Sequence, residues 1–145
     1  LFQKAVLVAP EFNRCLTKLL ATFNKVTHPS ELGLDAEEFP FIIGASYGSA
    51  SNARVSMGPT KTEARCWHKI RSPEDYGSEA FPQAAHLLDL ERAQIKFQDP
   101  YELTVFFYYL RGQDDLLKVV RVKNRFLEKE PLFGYRDVLV NVEVE

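Results

Sequence analysis

Along the first part of the chain, apolar residues recur at three- and four-residue spacing: Phe12, Cys15, Leu16, Leu19, Leu20, Phe23 and Val26. That spacing gathers them into one stripe of a helix and leaves Glu11, Arg14, Lys18 and Lys25 on the other side. Pro10 suits a first helical position, so the pattern predicts a helix over 10–27. The stretch HPSELGLDAEEFPF is turn-rich and is predicted to wrap the surface, with Phe39, Phe41, Ile42 and Ile43 as its anchor. GASYGSASNARVSMGP, rich in Gly, Ser and Ala, is predicted to form a mobile loop. It lacks the Gly-Lys-Ser/Thr ending of a phosphate-binding loop. Pro59 and Thr60 open a second predicted helix, with Ala64, Trp67 and Ile70 along one face and Lys61, Arg65 and Lys69 along another. Ser72-Pro73-Glu74-Asp75 is a further start signal, for a short helical turn that Gly77 ends, and residues 82–88 read as a brief helix.

Beyond residue 90 the periodicity changes. Ala93, Ile95 and Phe97 alternate with polar residues, which predicts a strand over 92–97. Asp99-Pro100 caps a helix over 100–111 that Gly112 terminates. Strands follow over 117–125 and over 137–144, where Val138, Val140, Val142 and Val144 alternate strictly. Helices ahead of a strand-helix-strand-strand unit make an α+β domain, a mixed β-sheet flanked by helices. The expectation is one sheet for residues 91–144, with Val120, Val122, Val138 and Val140 buried.

Composition narrows the classes of function. An apolar fraction of 46% with 12% aromatic residues supports a packed core rather than a disordered chain. Lys and Arg number 18 against 20 Asp and Glu, so no global field draws the chain to nucleic acid or to an anionic membrane. An anionic ligand needs a local basic cluster instead. Cys15 and Cys66 belong to no CxxC pattern and read as buried thiols of a reducing, intracellular compartment. His28, His68 and His86 have no Cys or carboxylate at ligand spacing, which argues against zinc. No apolar run approaches the ~20 residues that span a bilayer. Leu1 in place of a starting Met fits a cleaved transit peptide, hence a chloroplast or mitochondrion, and fits a partial chain equally.

The segment VVRVKNRF carries the candidate chemistry. Arg121, Lys123 and Arg125 recur at period two, with Val120 and Val122 pointing the other way. A strand buried on both faces does not carry three cations in a row, so they face solvent or an anionic ligand. Gly134-Tyr135-Arg136 sets a ring beside that row. Arginine grips two phosphate oxygens at once and an aromatic ring stacks on a base. Those residue types therefore suit a nucleotide, although a half-exposed strand accounts for the alternation as well.

Taken together and in order, LLDLERAQIKF, VVRVKNRF and GYRDVLVNV resemble the synthetase domain of the RelA/SpoT family. The likeness covers residues 58–145, and residues 1–57 resemble nothing, which divides the chain into an N-terminal extension (1–57) and a RelA/SpoT-like domain (58–145). The resemblance implies a nucleotidyltransferase-like fold. It also implies magnesium-dependent transfer of pyrophosphate from ATP to the 3′-hydroxyl of GDP or GTP. By the same resemblance Asp89 holds the metal, Arg121 and Lys123 grip phosphates, and Tyr135 stacks on the acceptor base. Lys61 and Arg65 would then touch the phosphates of ATP. Asp89 reads otherwise as a turn or helix-end aspartate.

Two departures count against activity. The family pattern D-L-x-G-x-R is replaced by Asp89-Leu90-Glu91-Arg92-Ala93-Gln94, so Arg92 does not inherit the family arginine's role. The family's second acid lies on a further strand, and this sequence stops at NVEVE. The expectation is a degenerate, non-catalytic relative, a pseudoenzyme acting as a subunit or scaffold among protein partners, with a residual cleft for ATP, GTP or GDP. The alternative is a pyrophosphotransferase with part of its site missing.

Overall fold

A computed structural model describes residues 2–34, 37, 51–74, 77–82, 90–127 and 136–144, with side chains from Leu7 onward. Helix α1 spans Phe2–Phe23, so it begins well before Pro10, which lies inside it. The upstream segment FQKAVLVA has no glycine or turn-forming residue to stop a helix, and the helix runs through Pro10 despite the lost hydrogen bond and the ring's crowding of the carbonyl four residues back. The apolar stripe falls as its spacing predicts, with Phe12, Cys15, Leu16, Leu19, Leu20 and Phe23 all buried. Each such side chain gains about 1.5–3 kcal/mol on burial, which holds the helix to the body. A 3₁₀ turn, Pro29–Leu32, follows, capped by His28.

The Gly/Ser/Ala stretch is corrected in part, because Arg54–Met57 form strand β1. It pairs antiparallel with β2, Ala93–Lys96, in the register Val55↔Ile95 and Met57↔Ala93. Those four residues pack against the core while Arg54, Ser56, Gln94 and Lys96 stay exposed, the period-two signature of a half-buried ladder. Past Met57 the two segments continue side by side. The Gly58 N–H donates to the Arg92 carbonyl at 2.7 Å and the Lys61 N–H to the Leu90 carbonyl at 2.9 Å. A Cβ at position 58 would lie 3.2 Å from the Arg92 carbonyl oxygen, tighter than ordinary contact, so glycine permits this approach.

Helix α2, Glu63–Arg71, starts later than Pro59 and Thr60, because the Thr62 hydroxyl caps it by accepting from the Arg65 N–H. Its buried residue is Cys66; Ala64 and Trp67 are exposed, and Ile70 is half-buried, so the apolar face expected for this helix is not its packed face. Trp67 is covered locally instead, with the Arg71 guanidinium 5.2 Å from its ring centroid and Nε1 donating to Glu63. Pro73 and Glu74 form a turn. Beyond Pro82, the helix expected over 82–88 lies outside the described residues, as do Phe39, Phe41, Ile42 and Ile43.

Helix α3, Pro100–Arg111, is bounded as predicted. The Asp99 carboxylate accepts the Glu102 N–H at 2.9 Å, and the buried Glu102 carboxylate accepts the Gln98 N–H at 3.1 Å. One orphan donor of the first turn is thereby satisfied, together with the N–H of the residue that precedes the cap. Strands β3, Leu117–Asn124, and β4, Val138–Val144, pair antiparallel. Among the described residues the molecule is thus mixed α and β, with two separate two-stranded antiparallel sheets rather than the one sheet expected for 91–144.

The core draws on both sides of residue 57. The buried face of α1 and Ala53 join Val105, Phe106, Tyr109 and Leu110 of α3 and Leu117 of β3 in one cluster. At its centre the Phe23 ring meets Phe97 at 6.1 Å and Phe106 at 5.2 Å, both edge to face. No helix among the described residues is long and apolar enough to cross a membrane.

Candidate functional site

Strand β3 changes phase in its middle. Leu117 pairs with Val144 and Val119 with Val142, but the next partner pair is Arg121 with Asn141, so Val120 is an extra, bulged residue. Directly opposed residues share a face. Val140, Val142 and Val144 pack on the core, so Leu117, Val119 and Val122 lie on the core side. Lys118, Arg121 and Lys123 lie on the outer side with Glu143, Asn141 and Leu139. The expected burial of the valines is corrected as well, at the bulged Val120 and at Val122, which shares Val140's face yet stays outside the core cluster. Val120 and Val122 are 41% and 44% exposed, whereas Val138 and Val140 are partly buried.

Arg121 and Lys123 therefore share one exposed face, and Arg125 leaves it. Arg125 opens a 3₁₀ turn, Arg125–Leu127, where its Nε and Nη2 each donate to the Asp137 carboxylate at 2.5 Å. Its own N–H donates to the Asp137 carbonyl at 2.9 Å. Arg136 donates through Nη1 to the Phe126 carbonyl at 2.8 Å. These two arginines close the neck of the β3–β4 hairpin, which is structural work.

Beside the bulge lies an open groove of about 470 Å³, lined by Phe107, Arg111, Asp114 and the four residues Val119, Val120, Arg121 and Val122. Consecutive strand residues alternate faces, so four in a row mark a groove running along the strand's edge. Phe107 and Arg111 stand one helical turn apart on α3, off the stripe of Val105, Phe106, Tyr109 and Leu110 that enters the core. Sequence reasoning missed both. Their i, i+4 spacing places them on one helix face, but nothing in the sequence marks that face as a groove wall.

The remaining candidates lie elsewhere. Lys61 is buried, 2% exposed, with its backbone against Leu90 at the end of the β1–β2 ladder. Arg65 is exposed in the first turn of α2. Neither lines the groove. The ladder does bring the Gly58-Pro59-Thr60-Lys61 segment alongside Leu90 and Arg92, whose Nη2 is 3.5 Å from the Pro59 carbonyl oxygen. Asp89 and Tyr135 lie outside the described residues. Among those described, no group of three or more His, Cys, Asp or Glu is arranged to hold a metal ion, and Asp114 is the carboxylate in the groove.

The two cysteines are free and buried, in α1 and α2. Burial, with a hydrogen bond to Glu11, pushes the Cys15 thiol up, away from its nucleophilic form. Protein-family models, curated proteins and solved structures contain no match to this chain.

Proposed function

We propose that this chain is a degenerate, RelA/SpoT-like nucleotide-binding domain acting as a non-catalytic subunit or scaffold of a larger assembly. The observation that carries the reading is the shared outer face of Arg121 and Lys123, the two cations whose motif suggested phosphate binding. A guanidinium and an ammonium on one exposed strand face neutralise a phosphate chain at no cost in burying charge. The non-catalytic half draws on Lys61. With 2% of its surface exposed, that side chain must leave its packing to touch a phosphate, whereas catalysis by charge placement needs cations already in position. The apolar surface of Val120 and Leu139, each more than 40% exposed on this hairpin, offers a protein partner something to cover.

One observation favours the pyrophosphotransferase alternative: the GPTK segment lies beside Leu90, the residue that follows Asp89 in sequence. In that reading magnesium would be held by Asp89 with substrate phosphates, and the ion would supply charge neutralisation at the transferred group.

Titration calorimetry with ATP, GDP and GTP, with and without magnesium, tests the binding. Saturable binding is expected, weakened about 10- to 100-fold by Arg121→Ala, since a hydrogen bond to a charged group contributes about 1.5–3 kcal/mol. No heat with any nucleotide at millimolar concentration refutes it. In a labelled-ATP assay with GDP or GTP, no tetra- or pentaphosphate is expected; clear product lost in Asp89→Asn establishes the enzyme instead.

A further inference from the structure

We propose that the groove between α3 and β3 is an oligophosphate subsite in which Arg111 is a second anchoring guanidinium beside Arg121. The inference rests on the nucleotide-binding reading above and assigns it a residue outside the motifs that suggested it.

The arginines after residue 90 are employed in different ways. Arg92 approaches the Pro59 carbonyl, Arg125 grips Asp137, and Arg136 donates to the Phe126 carbonyl. Arg111 and Arg121 have no hydrogen-bond or ion-pair partner among the described residues, and both line the same groove. Two guanidiniums that line one depression, with no partner among the described residues, leave their donors open to an anion. Each offers a planar fork of donors that matches phosphate oxygens two at a time. Among the residues lining the groove, these two guanidiniums stand against one carboxylate, Asp114. That balance favours a multiply charged anion over a monovalent one.

The apolar part of the lining completes the fit. Phe107, Val119, Val120 and Val122 supply the apolar part of an otherwise open groove, so a bound anion meets both cations and hydrocarbon along its length. The Phe107 ring also gives a nucleoside an apolar surface beside its phosphates. A nucleoside di- or triphosphate and inorganic tripolyphosphate share the anionic chemistry; the ring contact separates them.

The test is calorimetry of the full chain at low salt with sodium tripolyphosphate, GDP and a poly-glutamate peptide. The proteins compared are the unaltered chain, Arg111→Ala, Arg121→Ala, Phe107→Leu and the distant control Lys18→Ala, each confirmed folded by circular dichroism. Arg111→Ala and Arg121→Ala are each expected to weaken tripolyphosphate about 10- to 100-fold, Lys18→Ala to leave it unchanged, and Phe107→Leu to weaken GDP alone. Arg121→Ala weakening GDP while Arg111→Ala leaves both phosphates unaffected would overturn the subsite and keep the nucleotide reading. If the unaltered chain binds neither phosphate ligand, both fall. Binding of poly-glutamate in preference to tripolyphosphate would overturn the proposal in favour of a protein-docking edge.

Discussion

Replacing Phe23 with alanine tests whether the N-terminal helix and the C-terminal half fold as one unit. Phe23 is fully buried at the end of α1, where its ring meets Phe97 just after β2 and Phe106 in α3. Truncating a buried phenylalanine typically costs about 3–5 kcal/mol in lost transfer energy and residual cavity. Each edge-to-face pair adds about 0.5–1.5 kcal/mol, part of which that figure already contains. A domain of this size has about 5–15 kcal/mol in total, so Phe23→Ala removes a large fraction of it. At about 2–4 °C per kcal/mol the melting temperature should fall by roughly 10 °C. Urea denaturation followed by far-ultraviolet circular dichroism should show one transition, displaced to lower urea with unchanged slope. A Phe23→Ala protein with the native midpoint, or one showing two separate transitions, would refute the shared core.

Two further predictions concern face assignment and acid stability. Val140→Asp puts a charge against the core and should unfold the protein or cost about 3 kcal/mol or more, whereas Val120→Asp, at the exposed bulge, should cost under about 1 kcal/mol; equal melting curves would contradict the phase change in β3. Arg14, hydrogen-bonded to Glu11 one turn earlier, holds that exposed carboxyl down to about 2, from 4.5. A depressed carboxyl stabilises the fold above its unfolded value and loses that contribution as pH falls through its folded one. Glu11→Gln should therefore lower stability slightly at neutral pH, the pair being exposed, and flatten the acid-unfolding curve between pH 4.5 and 2, so that the two proteins converge in acid; curves of identical shape at every pH would exclude the pair as a contributor.

What the sequence made legible was the structure fixed by local signals. The stripe from Phe12 to Phe23 and the box of Asp99 and Glu102 around α3 each follow from residues within a few positions of one another. The misses arose where a distant partner decided the outcome. β1 is four residues inside a Gly- and Ser-rich stretch, and its pairing with β2 nearly forty residues later makes it a strand. Arg125 sits at the period of a cation row, yet Asp137, twelve positions on, takes the Nε/Nη2 edge of its guanidinium with both carboxylate oxygens. For the candidate site, Arg121 and Lys123 were readable because charge at period two in a strand demands an outlet. Phe107 and Arg111 were not, since a helix face beside a core stripe shows no sign of the groove until β3 is laid against it.

Leu117, Val119, Arg121 and Lys123 all occupy odd positions of one strand, yet the first two face inward and the last two outward. An uninterrupted ladder could not do this, so Val120 works as a counting device whose presence matters more than its identity. A different residue there is tolerated, but removing that residue altogether would slide the downstream half by one step. Either Arg121 and Lys123 would turn toward Val140 and Val142, or the ladder would break at Asn141. Among variants of this protein, residue 120 should therefore differ freely in kind while the spacing between Val119 and Arg121 stays constant. Sequence length, at this one point, decides which charges meet the solvent.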